Sequence, residues 1–141
     1  ESGGRRCACG KRGHLESYVS KPAMEEAYFE ASGKRLELPE ICRLAGEGEK
    51  AAAAVLKDAI DKLAIGINQI LLVVNPGTLV LYGDLFESVD GILERLKQKT
   101  KELAFTEEIA DNCWMVRETK NVRIEDSIAR LSVERALEII V

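Results

Sequence analysis

Ten residues near the N-terminus, Cys7-Ala-Cys-Gly-Lys-Arg-Gly-His-Leu-Glu16, constrain this chain more than any other stretch. They bring together two thiols, the only histidine, two glycines and a carboxylate. Thiolate sulfur and imidazole nitrogen are donors that zinc prefers, and a structural zinc takes four in a tetrahedron. Cys7, Cys9 and His14 supply three, and the stretch offers no obvious fourth. Gly10 and Gly13 allow the backbone to turn tightly around an ion, because glycine adopts positive φ without a Cβ penalty. The plainer alternative is a glycine-rich turn with two free thiols. The tight clustering of ligand-type residues favours zinc over it.

The same decapeptide resembles the second signature of the ROK family (repressors, open reading frames, sugar kinases), which reads C-x-C-G-x-x-G-C-x-E. Cys7, Cys9, Gly10, Gly13 and Glu16 match it position by position, and His14 stands where the family usually has a third cysteine. Imidazole is itself a competent zinc ligand. The resemblance implies that Glu16 contacts a sugar hydroxyl. It also implies that the fourth zinc ligand is a histidine upstream of the first cysteine, before the point at which this sequence starts.

Composition bounds the rest. The chain has 141 residues, 46% of them hydrophobic and 31% charged, and a formal net charge of -4. That is enough for one soluble domain with a real core. An acidic chain, with a pI near 5.2, is a poor candidate to grip nucleic acid by itself, since phosphate contacts need clustered Lys and Arg. Four cysteines in such a chain read as cytoplasmic thiols, reduced or on metal. No signal peptide and no membrane-spanning apolar run is expected, since Ile65–Val74 is interrupted by Asn68 and Gln69. The start at Glu1-Ser-Gly-Gly4 reads as a piece cut from something longer.

Along the chain, Ser20 and Pro22 predict a helix start, and Gly33 its end. A short helix follows Pro39, with Ile41, Cys42 and Leu44 apolar and Cys42 read as a small buried hydrophobe. From Glu49 to about Val73 the pattern is one long helix, with Val55, Ala59, Leu63, Ile67, Ile70 and Val74 as its apolar face. Gly66 inside it points to close packing on a neighbour. Asn75-Pro76-Gly77 ends it, and Thr78–Tyr82 is expected as a strand buried on both faces, as parallel strands are. Phe86, Val89, Leu93 and Leu96 predict one helix ending near Lys101, with Asp84 as its cap. A turn over Thr106–Asp111, a second strand from Cys113 to Val116 with Trp114 in the core, and a last helix from Ser127 to Ile140 complete the expectation. Strand, helix and strand in this order predict a parallel crossover.

The resemblance extends to Asn75–Gly83. ROK proteins follow a long helix with an N-P or D-P turn, an apolar strand and paired glycines, which in the kinases lie against the nucleotide. Here Tyr82 replaces the first glycine, leaving Gly83 as a degenerate nucleotide-site position. The small residues that ROK kinases carry in the last helix are also missing, from Ser132 to Ala136. The resemblance implies an α/β chain, the end of the C-terminal lobe of an actin-like (ribonuclease H-like) ATPase fold, mostly helical with a small parallel sheet. The phosphate loop and catalytic aspartate of the kinases would lie outside these residues. The expectation is therefore a non-enzymatic, sugar-sensing part of a ROK transcriptional regulator, reaching DNA only through another, N-terminal domain and assembling as a homo-oligomer. The alternatives are the C-terminal part of an ATP-dependent ROK sugar kinase, or a small zinc-stabilised interaction module.

Overall fold

A computed structural model describes residues 3–104 and 114–117. Its helices are Glu16–Val19 (α1), Lys21–Ser32 (α2), Leu38–Gly46 (α3) and Lys50–Val74 (α4), followed by the strand Thr78–Leu81 (β1). Two more helices, Asp84–Ser88 (α5) and Ile92–Leu103 (α6), lead to the strand Trp114–Arg117 (β2). The described chain is thus mostly helical, with one small sheet.

The helix ends follow local chemistry. Pro22 and Pro39 occupy the first turns of α2 and α3, where a missing N–H costs nothing. The backbone N–H of Leu38 donates to Glu25 Oε1 at 2.9 Å, which ties α3 to α2. The Glu49 side chain caps α4 by accepting from the backbone N–H of Ala51 and Ala52, at 3.2 and 2.7 Å. At the other end Asn75 takes the left-handed conformation, with φ 47°, and its N–H reaches Leu71 O. Asparagine tolerates that geometry better than other residues with a Cβ, and Pro76 then prevents the helix from continuing.

Helix α4 is the axis on which α1, α2, α3 and α6 pack. Its buried stripe is Ala52, Val55, Leu56, Ala59, Ile60, Ala64, Ile67 and Leu71. The expected face was partly misplaced, because Ile70 and Val74 are 42% and 66% exposed. Three of the inward positions are alanines, which bring neighbouring helices close but carry little weight in a hydrophobic pattern. Met24, Tyr28, Leu38, Ile41, Ile92 and Leu96 complete a core that is nearly free of solvent. Each such side chain contributes about 1.5–3 kcal/mol relative to exposure. Asn68 lies within the stripe, and its amide donates to Ala64 O at 3.2 Å and to Thr100 O at 3.0 Å. These bonds offset its burial and join α4 to α6.

The two strands pair in parallel, Thr78 with Trp114 through Leu81 with Arg117. The predicted parallel pairing is therefore present. Covering on both faces is not, since β1 is half-buried along its length, and β2 is its one neighbour among the described residues. The helix expected over Phe86–Lys101 is two helices, broken before Gly91, which has φ 68°. Asp84 is the first residue of α5 rather than its cap. The expected turn over Thr106–Asp111, Cys113, the side chain of Trp114 and the helix over Ser127–Ile140 lie outside the described residues. Among the described residues no helix is long and apolar enough to cross a membrane.

Candidate functional site

Residues 5–13 form a tight hairpin. The N–H of Cys7 donates to Lys11 O at 2.8 Å, that of Gly13 to Arg5 O at 2.9 Å, and that of Gly10 to Cys7 O at 3.0 Å. Gly10 and Gly13 both have positive φ, 85° and 73°, and so make the two reversals that an L-residue resists. The fold brings the three sequence-predicted ligands together. One donor atom each from Cys7, Cys9 and His14 all lie within 4.8 Å of one another. Cys9 Sγ is 3.3 Å from His14 Nδ1. Donors around a tetrahedral zinc, with bonds of about 2.0–2.3 Å, are spaced between those limits. The donor set and its spacing therefore fit a metal ion. Cys7 is buried, whereas Cys9 and His14 are exposed.

The hairpin is clamped onto α4. The Arg5 guanidinium pairs with Asp58 at 2.9 Å and lies 5.0 Å from the Tyr18 ring centroid. Lys62 Nζ is 5.1 Å from the same ring, and the Arg5 N–H donates to the Tyr18 hydroxyl at 3.0 Å. Ser17 Oγ donates to His14 O at 2.6 Å, and so fixes the ligand-bearing turn against α1. Leu15 rests on Gly66, the close contact that the helix glycine announced. Arg5, Tyr18 and Asp58 were not legible as a set, because their contacts join segments far apart in the chain.

Glu16 is the first residue of α1 and is exposed. Its backbone carbonyl accepts from the Ser20 N–H at 3.2 Å, while its carboxylate has no ion pair or hydrogen bond among the described residues. Cys42 stands apart from the triad in the helical core, where burial pushes its thiol up to about 11. Gly83 follows β1 with φ 120° and ψ 172°, a conformation essentially restricted to glycine. A Cβ built there would meet nothing within 4 Å, so backbone geometry and not space demands the glycine. Tyr82 beside it is 57% exposed. A groove of about 440 Å³ runs from Val19 and Lys21, past Leu38, to Leu81, Tyr82 and Gly83. It connects the end of the Glu16 helix with the carboxyl end of β1, the end at which open parallel sheets bind ligands.

The ROK family model matches residues 1–123. The chain belongs to the ROK family. Its curated relatives include the N-acetyl-D-glucosamine kinases of Shigella boydii and Salmonella arizonae, 35% and 37% identical over 81 residues, or 57% of this chain. The chain spans about a quarter of their length, 27%. Among solved ROK structures, the hexokinase from Thermus thermophilus superposes with a TM-score of 0.72 at 22% identity, covering 85% of this chain and 40% of the other. A ROK transcriptional regulator described as a homologue of the E. coli MLC protein gives 0.69 at 21% identity, covering 83% and 32%. The described residues thus share the fold of ROK proteins of both kinds. The expectation of a non-enzymatic protein is corrected here. The substituted glycine at Tyr82 pointed away from a kinase, yet the curated relatives are sugar kinases. A substitution beside Gly83 is a local change, whereas the likeness to these kinases runs over 81 residues.

Proposed function

We propose that residues 1–141 form the end of the C-terminal lobe of a ROK sugar kinase. In this reading a structural zinc on Cys7, Cys9 and His14 holds Glu16 against a sugar hydroxyl. The observation that carries it is the convergence of the three ligands directly before a carboxylate that no described residue engages. A carboxylate two residues beyond a ligand, at the start of a helix packed on α4, loses little further freedom when it accepts a hydroxyl hydrogen bond. Glu16 orients the sugar, while Gly83 and the groove beside it lie on the nucleotide side. The sugar class is an N-acetylhexosamine, by likeness to the curated relatives. The zinc supplies rigidity, with its fourth ligand outside the described residues.

Exposed Leu72, Val73 and Val74 at the end of α4 suit contact with the remainder of a larger protein or with a second copy in a homo-oligomer. The test is phosphoryl transfer from Mg-ATP to N-acetyl-D-glucosamine by the full-length protein, alongside calorimetric titration with the sugar. Sugar binding with turnover supports the proposal, and absence of sugar binding overturns it.

A second reading is favoured by one feature, the Tyr82 side chain in place of a glycine. In it the same site senses the sugar within a cytoplasmic transcriptional regulator that contacts DNA through another domain. Saturable sugar binding without turnover selects this second reading.

A further inference from the structure

Arg6 and Arg12 form an antiparallel bridge across the hairpin. The flanking hydrogen bonds, Cys7 N–H to Lys11 O and Gly13 N–H to Arg5 O, make it a pair without hydrogen bonds of its own. In such pairs the Cα atoms are about 4.5 Å apart, and the two side chains leave the same face at their closest approach. Two like charges directly opposite one another are destabilising. Both arginines are exposed, and no carboxylate of a described residue pairs with either. Arg12 spends one of its donors on Gly4 O, at 3.3 Å, which holds its guanidinium without neutralising it. Strand alternation turns Cys7, the neighbour of Arg6, to the opposite face.

We infer that the Arg6–Arg12 face is a binding site for a phosphate group, either the free ion or a small phosphate monoester. Each guanidinium offers a planar fork of donors. A carboxylate has two oxygens and satisfies one fork, whereas a phosphate dianion has oxygens enough for two. Its charge removes the repulsion that the bare pair carries. Arg5 is committed to Asp58 and Tyr18, so the site rests on two residues and not on general basicity.

The experiment is an NMR titration of the zinc-loaded full chain at low ionic strength, following the arginine side-chain Nε–H signals. Inorganic phosphate and glucose 6-phosphate are the two probes. Saturable shifts concentrated at Arg6 and Arg12 are expected. Arg6→Gln and Arg12→Gln each weaken binding about tenfold, as loss of a charged hydrogen-bonding partner does. Arg6→Lys, which keeps the charge but loses the fork, also weakens it. Equal affinity for the two probes identifies the phosphate group alone as the ligand, and tighter binding of glucose 6-phosphate identifies a monoester. Shifts that never saturate, or undiminished binding in Arg6→Gln and Arg12→Gln, overturn the inference. Circular dichroism of the variants reports folding, and both positions are exposed on the hairpin.

Discussion

Leu15 lies directly over Gly66: a Cβ at position 66 would stand 2.9 Å from Leu15 Cδ2. This contact seats the turn that carries His14 and Glu16 on the middle of α4. It also sets two effects against each other. Alanine in a helix interior is worth about 1 kcal/mol over glycine. The displaced atom is the far end of a flexible side chain, itself 39% exposed, so Leu15 can rotate away at small cost. Gly66→Ala is therefore expected to hold or raise the melting temperature, by up to about 4 °C. Gly66→Phe is expected to lift the turn and speed zinc loss to a competing chelator. A marked drop in melting temperature for Gly66→Ala would show that Leu15 is not free to move.

Gly83 gives the opposite result for the opposite reason. Nothing crowds the position, yet its φ of 120° is one that side-chain-bearing residues rarely adopt. Gly83→Ala should cost about 1–3 kcal/mol in chemical denaturation. Tyr82→Ala, at an exposed neighbour with ordinary backbone, should stay within about 0.5 kcal/mol of wild type. Equal effects of the two substitutions would remove the conformational explanation.

How far the fold was legible follows from these particulars. Helix limits marked by Ser20, Pro22, Gly33, Pro39 and Asn75-Pro76 were readable because each signal acts locally. The metal triad was readable for the same reason, its three ligands lying within eight residues. The break between α5 and α6 was hidden, since Phe86, Val89, Leu93 and Leu96 keep an apolar rhythm across it. The inward face of α4 was blurred by alanines at 52, 59 and 64. Asn68 looked like an interruption because its partner, Thr100 O, belongs to another helix. The Arg6–Arg12 pairing depends on hairpin register, which neither residue announces alone.

Cys42 supplies a pH test. Burial raises its thiol from an ordinary value of 9.0 to about 11 in the folded chain. The unfolded thiol ionises first, so the unfolded state binds fewer protons across that interval and stability falls with rising pH. The contribution is intact below pH 9 and is lost as pH rises through about 11. Urea midpoints of wild type and Cys42→Ala, compared at pH 8, 9, 10 and about 11, isolate it, because other groups cancel in the difference. Wild type should lose ground relative to the variant over this range. A constant difference would mean that the folded thiol ionises normally.

Metal content separates the cysteines by role. With zinc held by Cys7, Cys9 and His14, Cys9→Ser should release it, and Cys42→Ser should retain it while losing stability through the buried hydroxyl. Chelation of the wild type should lower the melting temperature and expose the Cys9 thiol to alkylation, leaving Cys42 shielded until unfolding. Mass spectrometry of the labelled peptides with elemental analysis reads both outcomes. Zinc retained by Cys9→Ser would detach the metal from this hairpin.

Glu16 is where the metal reading becomes a functional one. Its backbone is fixed on one side by the Ser17 to His14 bond and on the other by Tyr18, buried under Arg5 and Lys62. The carboxylate itself meets no described partner, so no fold contact is lost on changing it. Glu16→Gln in the full-length protein should keep zinc and melting temperature and weaken sugar binding by about tenfold or more, since an uncharged amide oxygen is the poorer acceptor. Cys9→Ser should weaken sugar binding as well, but together with zinc loss and a lower melting temperature. Loss of affinity in both variants, with stability lost in only one, is the pattern of a carboxylate that binds sugar on a turn held by metal. Normal sugar affinity in Glu16→Gln would leave the hairpin a structural element and place the sugar elsewhere.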